Sequence, residues 1–205
     1  MPPLGVILAG GLGSRIGGGK AIVELAGKPL IQYPCEAMQA ALGEVVITAK
    51  ADTELPSLVG TTVWVEPQAP RHPLIGLLHA LDLAEGRPVL ACPVDLPFVT
   101  AEVIRRLAGA GARGAPAVIA AAGGTVQPLL GCYQPRARER LRSAGFGPEM
   151  PVRRAIAAIG AHTLEVDPQV LFNVNSPDDL LQAAGMLDRL RAPKGLSGAD
   201  RPSRR

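Results

Sequence analysis

The sequence predicts an α/β fold, a three-layer, Rossmann-like domain with a mainly parallel central sheet. Short apolar runs of strand length alternate along the chain with helical runs, which is the pattern of strand–helix–strand units. The 205 residues are 47% hydrophobic, which is enough for one sizeable core. We therefore expect one domain over residues 1–191.

The predicted elements of the first half alternate regularly. Strands are expected at 4–8, 44–48, 61–65 and 88–92, because each is a short run of apolar residues bounded by turn residues. Helices are expected at 29–42, 74–84 and 100–107. Pro34 predicts a late start or a kink in the first helix, and Thr100 is a candidate N-cap of the third. Residues 50–60 are expected to form a short helix or a loop.

The second half is less regular. Strands are expected at 116–122 and 127–133, on either side of Gly123 and Gly124, and the sequence leaves open whether these two strands pair antiparallel. A further short strand is expected at 162–166. Helices are expected at 136–142 and 151–159. Ser176-Pro177-Asp178-Asp179 predicts a helix start, with a cap candidate, a proline at the first position and acids in the first turn.

Positive charge is concentrated at the end of the chain. The formal net charge is +3, and residues 191–205 hold five cations and one anion, so residues 1–190 carry −1 (+3 less +4). Aromatic residues make up only 3% of the chain, so we expect no nucleic-acid partner. Residues 192–205, rich in proline, serine, glycine and arginine, are expected to be a disordered basic tail.

Cysteine usage predicts a reducing compartment. Cys35, Cys92 and Cys132 are odd in number and widely spaced, which is typical of neither a disulfide framework nor a zinc site. No apolar run approaches the roughly 20 residues of a membrane helix, and the first residues lack the basic segment of a secretory signal. We expect a cytoplasmic protein without a membrane partner.

A glycine-rich loop directly follows the first predicted strand. Leu8–Lys20 holds six glycines among thirteen residues, together with Arg15 and Lys20. Glycines let backbone N–H groups approach phosphate oxygens, and the two cations offset negative charge, so the loop predicts a polyphosphate site. A flexible surface loop, with Arg15 facing solvent, is the alternative.

Two common phosphate motifs do not fit this loop. The Walker A pattern fails because Ala21, not serine or threonine, follows Lys20, and because Ser14 occupies its first glycine position. The dinucleotide fingerprint fails because Ile16 stands where its last glycine is required.

Asp95 is the leading acidic candidate. It follows the apolar strand at 88–92, so it is expected on the same sheet edge as the glycine-rich loop. Mg²⁺ is usually held by one or two carboxylates plus substrate phosphates, which makes Asp95 a candidate metal ligand. A turn-forming aspartate between prolines is the alternative.

Several polar residues have two open interpretations. Asn173 and Asn175 point the same way at strand spacing and can grip a polar substrate, or Asn175 can cap the following helix. Lys28 can contact phosphate or be a surface lysine. His72 and His79 lack metal-ligand spacing and are expected to be ordinary loop and helix residues.

Further segments resemble the molybdenum cofactor guanylyltransferases. The glycine-rich loop is similar to the signature of nucleotidyltransferases with the glycosyltransferase-A-like fold, the nucleotide-diphospho-sugar transferase type. The narrower match is carried by His72–Gly76, Cys92–Pro97, Gln127–Tyr133 and Phe172–Leu180. The Asn-x-Asn segment within the last of these is the more specific part.

The resemblance implies a reaction and a set of site residues. The reaction is transfer of GMP from GTP to the terminal phosphate of molybdopterin-bound molybdenum cofactor, with release of pyrophosphate, with Mg²⁺ as cofactor and with molybdoenzymes or their chaperones as protein partners. The implied nucleotide-binding residues are Leu8, Ala9, Gly10, Gly11, Gly13, Lys20 and Asp95. Arg15, Lys20 and Asp95 are the expected catalytic group, Asp95 the metal ligand, and Asn173 and Asn175 the pterin-side residues.

The chain departs from the family pattern at three places. Gly19 replaces an acidic residue, His72 replaces a glycine, and Thr48-Ala49-Lys50 stands where the family offers an asparagine to the nucleotide. These departures concern base selectivity more than reaction type. The rival functions are a nucleotidyltransferase that uses CTP or another acceptor, such as a sugar phosphate or phospholactate, and a degenerate nucleotide-binding subunit.

Overall fold

The computed structural model of the chain describes residues 1–11, 19–111, 114–143 and 150–191. Gly13 and Arg15, two of the predicted site residues, lie outside these described residues, as does the predicted tail at 192–205. No helix among the described residues combines the length and the apolar character needed to cross a bilayer.

The predicted strands and helices are present, with shifts at some ends. The strands are β1 (Leu4–Leu8), β2 (Glu24–Leu25), β3 (Lys28–Pro29), β4 (Val45–Ala49), β5 (Thr61–Val65), β6 (Val89–Pro93), β7 (Ala117–Ala122), β8 (Thr125–Tyr133) and β9 (His162–Glu165). The helices are α1 (Gln32–Gln39), α2 (Pro73–Leu83), α3 (Ala101–Gly111), α4 (Pro135–Ser143), α5 (Val152–Ala158) and α6 (Pro177–Arg191), with a short 3-10 helix at Pro168–Leu171.

Seven of the strands form one sheet in the order β5-β4-β1-β6-β8-β7-β9. β1 pairs parallel with β4 and β6, β4 pairs parallel with β5, and β9 pairs parallel with β7. Among these described strands β8 alone runs in the opposite direction, antiparallel to both β6 and β7. The mainly parallel sheet predicted from the sequence is therefore confirmed. The direction in which β7 pairs with β8, which the sequence left undecided, is antiparallel.

Helices cover both faces of the sheet, as the alternation of elements predicts. Successive residues of a strand point to opposite faces. Ile7 and Ile47 accordingly pack on one face against α1 and α3, whereas Val6 and Val46 pack on the other against α2, α4 and α5. A smaller apolar cluster, which includes Leu25 and Leu187, packs α6 against the β2–β3 hairpin. The result is the predicted three-layer arrangement.

One local feature differs from the predictions. The β2–β3 hairpin, which was not predicted, turns through Ala26 and Gly27, both with positive φ. This hairpin delays the first helix, so α1 begins at Gln32 and Pro34 falls in its first turn, where the missing N–H costs no helical hydrogen bond. Residues 50–60 form neither a helix nor a strand, so the loop is the confirmed one of the two expected alternatives.

The antiparallel strand β8 depends on a close backbone approach at Gly131. A Cβ atom there would lie 2.6 Å from the carbonyl oxygen of Val118 and 3.0 Å from Cα of Ile119, both on the neighbouring strand β7. Because these are main-chain atoms, they cannot move aside without disturbing the pairing.

We predict that Gly131→Ala lowers the free energy of unfolding by about 1–3 kcal/mol, the usual cost of overpacking. Denaturant unfolding followed by circular dichroism measures the change. Gly109→Ala is the matched control, because a Cβ there meets nothing within 4 Å and the residue is helical; it should stabilise by up to about 1 kcal/mol. Equal stability of the Gly131 variant and the wild type would contradict the packing argument.

Candidate active site

The candidate site is a cleft of about 350 Å³ at the carboxyl ends of the parallel strands. Leu8, the last residue of β1, is in register with Thr48 of β4 and with Pro93 of β6. The segments that follow these strands therefore leave the sheet at the same edge. Ligands of such sheets bind at this edge, as expected from the sequence.

Four consecutive strands each contribute one element to the cleft. In sheet order, Glu66 follows β5, Lys50 follows β4, the glycine-rich loop follows β1, and Asp95 lies two residues after β6. Neighbouring strands lie about 4.8 Å apart, so the ends of β5 and β6 are roughly 14 Å apart. The cleft thus has a Glu66 end, a glycine loop in the middle and an Asp95 end.

The described part of the glycine-rich loop begins as a continuation of β1. The N–H of Ala9 donates to the carbonyl of Thr48 at 2.8 Å, which ties the start of the loop to β4. Leu8, Gly10 and Gly11 line the cleft, as does Lys20 at the far end of the loop. These predicted nucleotide-binding residues are therefore grouped around one cavity.

The Glu66 side chain lies between two glycines at its end of the cleft. A Cβ on Gly10 would collide with Oε1 of Glu66, and one on Gly76 would lie 2.6 Å from its Oε2. The first glycine belongs to the glycine-rich loop and the second to α2. Both glycines therefore leave room for the Glu66 carboxylate in its observed position.

Lys50 is the counter-ion of Glu66. Its Nζ lies 3.6 Å from Oε1 of Glu66 and also donates to the carbonyl of Pro67. Both side chains are almost fully buried, with 3% and 4% exposed. Burial raises the pKa of the Glu66 carboxyl, and the Lys50 ammonium lowers it by a smaller amount. A buried ion pair of this kind is costly to desolvate, and such groups cluster at functional sites.

Asp95, Lys20 and Asn175 meet at the other end of the cleft. Nζ of Lys20 donates to Oδ2 of Asp95 and to Oδ1 of Asn175, each at 2.8 Å. These residues come from the end of β6, the end of the glycine loop and the start of α6. The structure thus brings together three predicted site residues that are up to 155 positions apart in the chain.

The surroundings of Asp95 fit a hard divalent cation. Its Oδ2 accepts from Lys20, whereas its Oδ1 is buried and has no hydrogen-bond partner among the described residues. A buried carboxylate oxygen without a donor is costly unless a cation or a donor from a ligand completes it. Within the described ranges no group of three or more histidine, cysteine, aspartate or glutamate side chains could hold a metal by itself. A cation at Asp95 would therefore need oxygens from a substrate.

The N-terminal cap of α6 uses the backbone N–H of Asn175, while the side chain of Asn175 contacts Lys20. The Ser176 hydroxyl accepts from the N–H of Asp179 at 3.2 Å, and the Asp179 carboxylate accepts from the N–H groups of Asn175 and Ser176. The hydrogen bond from the N–H of Asn175 is the largest cause that lowers the pKa of Asp179, and the hydrogen bond with the Ser176 side chain is the next. Ser176 is therefore the cap, and the alternative in which the Asn175 side chain caps the helix is wrong.

Asn173 lies beside β8 and is not among the described residues that line the cleft. Its Oδ1 accepts from Nε2 of Gln127 at 3.2 Å. Between the two asparagines Val174 is fully buried, and its N–H donates to the carbonyl of Asp95 at 3.0 Å. The Asn173–Asn175 segment is therefore tied to the backbone of Asp95.

The remaining candidates have structural roles. His72 is the N-cap of α2, where its Nδ1 accepts from the N–H of Leu74 and its Nε2 lies 2.9 Å from the carbonyl of Met150. Lys28 pairs with Glu36 at 2.6 Å and lies over the ring of Tyr33. Of the two interpretations of Lys28, these contacts favour the surface lysine over the phosphate contact. The three cysteines are buried and free.

Glu66 and Lys50 are site residues that the sequence alone did not indicate. Glu66 begins a segment with three prolines, which predicts a loop, and in the sequence Lys50 stands out only as part of a departure from a family pattern. The available signal was positional: each residue directly follows a strand whose carboxyl end lies at the ligand edge.

Comparisons with known proteins agree with this geometry. The model of the MobA-like NTP transferase domain matches residues 5–163. A molybdenum cofactor guanylyltransferase of Cereibacter sphaeroides is 35% identical over 190 residues, covering 89% of this chain and 96% of the relative.

Solved structures share the fold. Molybdopterin-guanine dinucleotide biosynthesis protein A from Archaeoglobus fulgidus superimposes with a TM-score of 0.74 at 23% identity, covering 91% of this chain and 99% of its own. A Mycobacterium tuberculosis protein solved in complex with manganese gives a TM-score of 0.70 at 17% identity, covering 90% and 98%. By its sequence match and its fold, the chain belongs to the family of MobA-like NTP transferases and is a nucleotidyltransferase.

Proposed function

We propose that this chain transfers GMP from GTP to the terminal phosphate of molybdopterin-bound molybdenum cofactor, forming the guanine dinucleotide cofactor and releasing pyrophosphate. The observation that carries the proposal is the Lys20–Asp95 pair at the end of a glycine-rich loop, in a chain 35% identical to a molybdenum cofactor guanylyltransferase over nearly its whole length. The pair supports phosphate and metal chemistry, and the relative supports the identity of the two substrates.

The transfer is a substitution at the α-phosphorus of GTP. An oxygen of the acceptor's terminal phosphate forms a bond to that phosphorus, while the bond from the phosphorus to the oxygen of the leaving pyrophosphate breaks. No side chain has to act as a nucleophile, so the protein contributes position and charge. The N–H groups of Gly10 and Gly11 and the ammonium of Lys20 would bind the triphosphate oxygens. Arg15 stays a prediction for the same task.

Mg²⁺ is the metal that we propose for this site. Asp95 would hold it, because its buried Oδ1 has no hydrogen-bond partner among the described residues and because Mg²⁺ prefers carboxylate and phosphate oxygens. When bound, Mg²⁺ neutralises negative charge on the reacting phosphates. The manganese complex of the Mycobacterium tuberculosis neighbour supports a divalent cation on this fold.

Glu66 is the residue that we propose for selection of guanine. The Watson–Crick edge of guanine presents two adjacent donors, N1–H and the N2 amino group, and a carboxylate can accept both. Cytosine and adenine present an acceptor at the corresponding ring nitrogen, which a carboxylate repels. The Lys50 ammonium favours the ionised form of Glu66, although burial opposes it. With the base at Glu66, the triphosphate would extend along the glycine loop toward Asp95.

The acceptor would approach from the β8 side of Asp95. Asn173 lies there with Gln127, beyond β6 and away from Glu66. We therefore keep Asn173 and Asn175 as the proposed pterin-side residues. We also propose that the reaction takes place in the cytoplasm, which suits three free cysteines, and that molybdoenzymes or their chaperones receive the product.

We predict that Asp95→Asn lowers Mg²⁺-dependent GMP transfer at least about a hundredfold, because an amide cannot supply the charge that holds the metal. Release of pyrophosphate measures the rate, and circular dichroism checks the fold. Asp82→Asn, an exposed aspartate of α2 that pairs with Arg138 and Arg142, is the control and should retain activity. Activity of the Asp95 variant within a few-fold of wild type would refute the metal assignment.

We predict that wild type prefers GTP to ITP, which lacks the 2-amino group, by about tenfold or more in kcat/KM, since one carboxylate oxygen would lose its donor. Glu66→Gln should lower kcat/KM for GTP and reduce this preference, because an amide offers one acceptor oxygen only. Glu139→Gln, on the exposed side of α4, should leave the preference unchanged. An unchanged GTP-to-ITP ratio in the Glu66 variant would remove Glu66 from base selection.

A further inference from the structure

The ammonium group of Lys20 is shared between two acceptors. It donates to Oδ2 of Asp95 and to Oδ1 of Asn175, at 2.8 Å in both cases. We infer that Lys20 is an exchangeable counter-ion of Asp95: a divalent cation binds Asp95 only when Lys20 leaves it, and the triphosphate is the group that draws Lys20 away. The inference rests on the proposed function in assigning the metal to Asp95 and the phosphates to Lys20.

The two acceptors of Lys20 are held at a fixed spacing by the backbone. The N–H of Val174 donates to the carbonyl of Asp95, and the N–H of the next residue, Asn175, donates to the Asp179 carboxylate in the cap of α6. These two hydrogen bonds therefore hold the backbone of Asn175 close to Asp95. It is a positioning residue, because its amide oxygen keeps the Lys20 ammonium beside the carboxylate.

This arrangement disfavours binding of a metal ion in the absence of nucleotide. The Lys20–Asp95 pair is neutral overall, so an approaching dication gains little from the carboxylate while it is repelled by the ammonium. Only about one-sixth of each side chain is exposed, 14% for Lys20 and 18% for Asp95, so water screens this repulsion only in part. Among the described residues no further acidic cluster compensates.

A nucleoside triphosphate changes this balance. The lysine side chain is a flexible four-carbon stem with a compact charge, so its ammonium can move from one anion to another without a change in the backbone. Lys20 closes the glycine-rich loop and lines the cleft, within reach of phosphates bound there. Once the ammonium has moved, the negative charge of Asp95 is no longer neutralised by Lys20, and its Oδ2 can accept a cation. Metal and nucleotide should therefore bind with mutual positive coupling, since linkage is reciprocal.

The test measures Mn²⁺ binding to the full chain without nucleotide, by the loss of the free-ion signal in electron paramagnetic resonance. Wild type should bind Mn²⁺ weakly, and Lys20→Met should bind it at least about tenfold more tightly. Lys28→Met, which removes a lysine paired with Glu36 outside the cleft, is matched in charge and should behave as wild type. Adding Asp95→Asn to the Lys20 variant should abolish the gain.

Equal or weaker Mn²⁺ binding by Lys20→Met would overturn the inference, as would a gain that survives Asp95→Asn. If Lys20→Met does not fold, Asn175→Ala replaces it in the test. This variant keeps Lys20 but removes the second acceptor, which holds the Lys20 ammonium beside Asp95. It should give a smaller gain, and no gain would overturn the inference. Neither base nor acceptor takes part in this measurement, so a chain that used CTP would still show the effect, and a failure here would leave GMP transfer unaffected.

Discussion

Parallel pairing of β1 with β4 on one side and β6 on the other is the constraint on which the site depends. It brings the ends of these strands to one edge in register, with β5 alongside. A glycine loop, a buried lysine–glutamate pair and an aspartate follow those ends. A one-residue change in register would move these groups relative to one another and would also turn the apolar side chains away from their helices.

The cleft is built from two lysine–carboxylate pairs that differ in burial. Lys50 and Glu66 are almost fully buried, are fixed by their neighbours and would serve recognition. Lys20 and Asp95 are partly exposed, and one carboxylate oxygen has no partner among the described residues. Buried charges contribute little to stability by themselves, because desolvation offsets their attraction. Under the proposed function, their presence at the two ends of one cleft would match the charges of a nucleotide and its metal.

The sequence predicted the elements that have a strong local signal. β1 and β5 were predicted at their observed bounds, because each is a short apolar or β-branched run between turn residues. The β2–β3 hairpin was missed because its strands have two residues each and its turn is Ala-Gly. Motifs in the sequence indicated Lys20, Asp95 and the two asparagines. Glu66 and Lys50 are recognised as candidates only in the folded structure, where segments distant in sequence form one cleft. The roles of Gly13 and Arg15 stay predictions.

The proposed reaction is the transfer of GMP from GTP to the pterin cofactor. The most direct measurement incubates the chain with Mg²⁺, molybdopterin-bound molybdenum cofactor and either GTP or CTP, and identifies the products by mass spectrometry. We expect the guanine dinucleotide cofactor together with one pyrophosphate for each transfer, and no comparable product with CTP. A cytosine dinucleotide product, or pyrophosphate release without a nucleotide on the cofactor, would contradict the claim.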